Sequence, residues 1–138
     1  MGDIDNTNFT LIMENTDFTI IDNNVIDLYN DKDKINLVGI NKDTEKDIKN
    51  PTGYTITLIN NYDKYEKYNI SANIVLAGHN LGSEIRLFSL PILGLDKHLN
   101  EYYEENNTKV FISSGLGTKN HMRLMNKPSL NVYRLYNN

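Results

Sequence analysis

Apolar residues fall in short runs separated by polar stretches, and the spacing within each run predicts the elements. From Asn6 to Asn15, Phe9, Ile12 and Met13 stand at i, i+3 and i+4 behind a Thr7 or Asn8 cap, which predicts a short amphipathic helix. Phe18 to Ile21 and Val25 to Tyr29 are predicted as the arms of a hairpin turning at Asp22-Asn23-Asn24, residues that tolerate positive φ. Lys34 to Ile40 is a more apolar, interior strand. Asn41 to Gly53 is polar and ends in Pro51-Thr52-Gly53, the composition of a surface loop. Tyr54 to Ile59 is a strand rich in β-branched residues, Lys64 to Tyr68 a brief helix, and Ile74 to Ala77 a buried strand. Beyond it, Ile85 to Leu90 fits a strand or a helix, Pro91 to Leu95 a turn, and Asp96 to Asn107 a polar excursion. Lys109 to Ser113 is a strand entering Ser114-Gly115-Leu116-Gly117-Thr118, and Leu130 to Tyr136 alternates as a final strand with one exposed face. The pattern predicts one α/β domain over residues 1–138, with seven or eight strands and few helices.

Asn73 to Phe88, NIVLAGHNLGSEIRLF, is where chemistry is expected. Its apolar run stops abruptly at Gly78-His79, and turns after such strands are where α/β folds place functional groups.

Bulk properties narrow the options. A chain of 138 residues with 39% hydrophobic and 23% charged content can bury one core. The net charge of −4, with no Lys/Arg cluster, argues against nucleic acid as a partner. The absence of cysteine excludes disulfides and thiolate metal sites. No apolar run approaches the roughly 20 residues of a membrane-spanning helix, and the acidic MGDIDNTNF start is unlike a signal peptide, so a cytoplasmic protein with no membrane partner is expected. Asparagine supplies about one residue in six, so an isolated Asn carries little functional information.

Five blocks stand in order: YTITLINN (54–61), IVLAGHNLGSEIRL (74–87), ISSGLGT (112–118), Arg123 and NKPSLNVYRL (126–135), with INLVGI (35–40) upstream. Together they resemble the C-terminal half of the calcineurin-like metallophosphoesterases, in the bacterial branch with a GHTHGGQ-type motif. The resemblance covers nearly the whole chain. It implies a partial metallophosphoesterase-like β-sandwich flanked by helices, half of a four-layer α/β/β/α fold. It also implies chemistry in which two cations bind phosphoryl oxygens and activate a bridging water. The family's D-x-H and G-D blocks would precede Met1. Where it carries G-N-H-D, this chain has Gly2-Asp3-Ile4-Asp5, with Asp3 for the Asn ligand and Ile4 for the His. Asn60 stands for a lone His ligand, and in G-H-x-H the first His is His79 while the second is Leu81. The resemblance thus leaves Asp3, Asn60 and His79 as vestigial metal candidates, and Asn80 and Arg123 as candidate substrate contacts. No residue is assigned as catalytic. The implied cofactor is none, or one weakly bound Mn or Fe ion.

Three functional readings stay open. The leading one is a degenerate or split metallophosphoesterase domain, a binding or structural module that needs a partner or forms a homo-oligomer. In the split case, a partner chain supplies the missing half. The second is a residual metal-dependent phosphodiesterase using one ion near His79. The third is a degenerate α/β-hydrolase, because Gly78-His79-Asn80-Leu81-Gly82 has the shape of a nucleophile elbow. Asn80, however, holds the serine position, and an amide is no nucleophile. His79 has an equally simple role as a hydrogen-bonded turn residue. His98 and His121 are expected to be solvated loop histidines, and Glu101 to Glu105 a solvated acidic face.

Overall fold

The computed structural model describes residues 7–41, 48–78, 86–87, 90–91, 98, 100–115 and 128–136. Helix α1 spans Thr7–Glu14, and the strands are β1 (Asn24–Asn30), β2 (Asp33–Ile40), β3 (Thr55–Ile59), β4 (Ile74–Ala77), β5 (Arg86–Leu87), β6 (Leu90–Pro91), β7 (Tyr102–Glu105) and β8 (Thr108–Ile112). A 3-10 helix, η1, covers Tyr62–Tyr68 between β3 and β4. Six strands form one mixed sheet in the order β1-β2-β3-β4-β8-β7, while β5 and β6 form a separate two-stranded pair. The fold is therefore mostly sheet, with few helices. The two-helix complement of the described residues is thinner than the helical flanks implied by the sequence.

Strands β2, β3, β4 and β8 run parallel, and an antiparallel strand closes each edge. Parallel neighbours need crossovers, and these supply the cover for one face. The register places Val38, Ile40, Ile59, Val75, Ala77, Val110 and Ile112 on a common face, all at most 7% exposed. Against them pack Tyr62, Ile70 and Ala72 from the β3–β4 connection, with Ile48, Tyr65, Tyr68 and Tyr103 partly buried at the margin. Tyr65 Oη donates to the Ile70 carbonyl at 2.5 Å and Tyr68 Oη to the Asn41 carbonyl at 3.2 Å, which fastens η1 over the core.

The opposite face is also apolar but much less covered. Ile26, Ile35, Leu37, Ile56, Leu58, Leu76 and Phe111 alternate with the core positions and are only half-buried. Segment 18–21 reaches this face at Gly39, where a β-carbon would overlap the Ile21 carbonyl oxygen. This close approach is what requires glycine at position 39.

Two predicted strands are corrected. Phe18 to Ile21 is not a strand; the first hairpin is β1–β2, with Asn30 opposite Asp33 and Asp31 at φ 55 in its two-residue loop. The polar Asp31-Lys32 pair lies between two longer apolar runs, and their joint pairing outweighs the four-residue Phe18–Ile21 segment. Leu130 to Tyr136 is not a strand either: it is exposed along its length and pairs with no strand among the described residues. Alternation alone did not provide a ladder partner. Conversely, the supposed polar excursion contains β7, which forms a hairpin with β8 around Asn106 (φ 50) and Asn107 (φ 64). Positive φ at both central residues is the demand of a type I′ turn, and asparagine meets it. The segment from Ile85 to Leu90 resolves to strand character at Arg86–Leu87 and at Leu90.

Asn36 ties the N-terminal ends of β2 and β3 together from a fully buried position: its side-chain amide donates to the Thr52 carbonyl at 2.9 Å and approaches the Tyr54 carbonyl and Thr55 hydroxyl at 3.3 Å. Asn36→Ala is expected to lower unfolding free energy by about 2 kcal/mol, because the Thr52 and Tyr54 carbonyls and the buried Thr55 hydroxyl lose a donor. Gly39→Ala is expected to cost about 1–3 kcal/mol through displacement of segment 18–21. Urea denaturation of each variant checks both values.

Candidate functional site

The C-terminal ends of the parallel strands lie side by side. Asn41, Asn60 and Gly78 are the first residues beyond β2, β3 and β4, and the preceding residues are in register, Ile40 opposite Ile59 and Ile59 opposite Ala77. The Gly78 amide donates to the Ile59 carbonyl at 3.4 Å, and a β-carbon on Gly78 would stand 3.8 Å from the Asn60 carbonyl oxygen. Short strands ending together leave a step at the sheet margin. A cleft of about 390 Å³ lies there, lined by Thr19, Ile21, Gly39, Leu58, Asn60 and Gly78 among others.

Two carboxamide atoms at these strand ends are buried without a hydrogen-bond partner, Asn60 Nδ2 and Asn41 Oδ1. One is a donor and the other an acceptor, and unsatisfied buried polar atoms are uncommon enough to mark a place of interest. An amide turned through half a rotation presents oxygen instead of nitrogen, so Asn60 has the chemistry of a neutral oxygen ligand. Among the described residues, no three His, Cys, Asp or Glu side chains form a group that could hold a metal ion.

Of the residues singled out from the sequence, Asn60 is thus placed at the cleft. Gly78 brings the chain to the position immediately before His79. His79, Asn80, Leu81, Asp3 and Arg123 lie outside the described residues, as do Gly117 and His121. Gly115 is described and has φ 66, the positive value expected of a turn glycine.

A second polar cluster was not visible in the sequence. His98 is not a solvated loop residue: its side chain is 18% exposed, between the ring edges of Tyr62 and Tyr103, with centroids at 4.8 and 5.0 Å. Its Nδ1 lies 2.5 Å from Asp63 Oδ1 and its Nε2 3.5 Å from Glu105 Oε1. Tyr62 Oη donates to the other Glu105 oxygen at 3.0 Å, so Glu105 is not simply part of a solvated face. The local folding explains the placement. Asn61 caps η1 by accepting from the Asp63 amide at 2.9 Å, which aims the next residues at β7. With a carboxylate facing each ring nitrogen, the imidazole ties η1 to the β7 hairpin. Asp63, His98 and Glu105 are scattered in sequence and meet only through the β4-β8-β7 order, so no local spacing marks them.

Burial first, then the hydrogen bond to Glu105 and its negative charge, holds the Tyr62 hydroxyl well above the usual tyrosine value of 10.0. Above that pH the unfolded chain releases this proton while the folded one retains it, so stability falls as pH rises past about 10. Tyr62→Phe is expected to flatten this alkaline limb, read as the dependence of the urea midpoint on pH between 9 and about 11.

Comparison with protein-family models, with curated proteins and with solved structures returned no match.

Proposed function

We propose that the chain is a degenerate metallophosphoesterase-like module that acts in binding or assembly and does not hydrolyse phosphoesters on its own. The observation that supports this best is the adjacency of Asn60 and Gly78 at the ends of neighbouring parallel strands, beside a cleft. The resemblance puts metal ligands at Asn60 and at His79, the residue that follows Gly78. In this chain one of them is an amide with a buried, unpartnered nitrogen. A neutral amide in place of an imidazole, and Leu81 in place of the second His, leave too few donors for a tightly held pair of cations. On this reading, the six-stranded sheet is one of the two sheets of a sandwich.

Metal analysis of the purified chain and turnover of a generic aryl phosphodiester in Mn²⁺ test this directly. The expected result is substoichiometric metal and no turnover above the metal-only rate. In residues 1–138, Asn60→His together with Leu81→His is expected to leave that result unchanged, because the two substitutions do not supply the family's D-x-H and G-D ligands. Stoichiometric Mn or Fe with turnover lost in His79→Ala would instead establish a one-metal phosphodiesterase.

A further inference from the structure

The open face of the sheet calls for a partner, and its properties specify which kind. Five adjacent strands present Ile26, Leu37, Ile56, Leu58, Leu76 and Phe111 on that side, opposite a core that is already complete. Such a row is the pattern of a sheet covered on both sides. Among the described residues the cover is slight. Segment 18–21 touches one end, and the tail contacts the face at two places. Tyr133 packs on Phe111 with ring centroids 4.9 Å apart, and Leu135 and Tyr136 border a cleft of about 330 Å³ with Leu28, Ile35 and Tyr54. The tail adds apolar surface of its own, since Leu130 and Val132 are 79% and 77% exposed.

We propose that this face is the interface of a homodimer in which two copies of the chain pack sheet against sheet. Two properties favour a second copy. Beyond Asp33 at the β1–β2 turn, the charged strand positions on this face are Glu104 and Lys109, directly opposite each other across β7 and β8. A face with one acidic and one basic strand position besides Asp33 offers nothing to a strongly charged partner and suits a second copy of itself, as a two-fold interface requires. The available area also agrees. Leu28, Tyr54, Tyr102, Tyr133, Leu135 and Tyr136 are between 40% and 78% exposed. At about 200 Å² for a whole residue they offer roughly 600 Å². The half-buried residues between them raise this toward the roughly 800 Å² that each partner contributes to a stable interface. This inference rests on the sheet alone, independently of the phosphoesterase-like reading.

Because the chain contains no cysteine, single thiols report on the face cleanly. In the full chain, Leu58→Cys places a thiol on the open face, and Lys67→Cys places one on the exposed surface of η1. Light scattering is expected to give about twice the 15.9 kDa chain mass for both, with Leu58→Cys reacting at least tenfold more slowly with a maleimide. Leu58→Glu, whose side chain lies outside the covered core, is expected to halve the mass while leaving the circular dichroism unchanged. A monomeric mass for the cysteine variants at micromolar concentration overturns the proposal. If the Leu58→Cys thiol is then protected, a segment of the same chain covers the face. Stoichiometric co-purification of an unlike chain, or a dimer that survives Leu58→Glu with both thiols equally reactive, also overturns it.

Discussion

The structure depends on the parallel pairing of β2, β3, β4 and β8. Neighbouring parallel strands cannot be joined by tight turns, so the chain must leave the sheet and return after each one. In this protein, the returning segments deposit Ile48, Tyr62, Tyr65, Tyr68, Ile70 and Ala72 on the same side. The side shared by the β2–β3 and β3–β4 connections builds the core beside three aligned strand ends, and among the described residues the reverse of the sheet is thinly covered. The position of the candidate site and the openness of the other face have the same cause.

Asparagine does much of the joining. Asn36 links β2 to β3 from a buried position. Asn73 accepts from the Thr55 amide at 2.9 Å and also donates its own amide to the Thr55 carbonyl at 2.9 Å, extending the β3–β4 ladder by one step. Asn23 accepts the Asn41 amide at 2.8 Å, Asn61 caps η1, and Asn69, Asn106 and Asn107 adopt positive φ. A short carboxamide imitates a peptide group and tolerates left-handed backbone, so it suits each of these duties. The abundance of asparagine in the sequence made any single one look uninformative. Their structural roles are nonetheless distinct, and Asn41 and Asn60 keep a buried, unpartnered carboxamide atom at the C-terminal strand ends, as Asn36 does at its Oδ1.

Much of the sheet was legible in the sequence because apolar residues on both faces write themselves as continuous apolar runs. Val38, Ile59, Val75 and Val110 lie in runs of this kind, and β2, β3, β4 and β8 were each anticipated to within a residue or two. The edges were less legible. β7 is Tyr-Tyr-Glu-Glu, polar enough to pass for loop, and its strand character comes from the Asn106-Asn107 turn and the β8 partner. Leu130 to Tyr136 shows the reverse error, since perfect alternation with no available neighbour gives no ladder. The strand-end location of Asn60 followed from the length of β3, whereas the His98 cluster depends on contacts across thirty-five residues and left no local trace.

The order of strands has a kinetic consequence. Both edges of the sheet are hairpins whose partners are joined by two-residue loops, Asp31-Lys32 and Asn106-Asn107, so they can zip in microseconds. The centre is different: joining Ile74 to Lys109 means closing a loop of more than thirty residues before any contact compensates the lost chain entropy. The sheet should therefore assemble from its rims inward. Until β4 meets β8, two half-sheets with bare inner edges coexist in one chain, and those edges are the surfaces on which misfolding would begin.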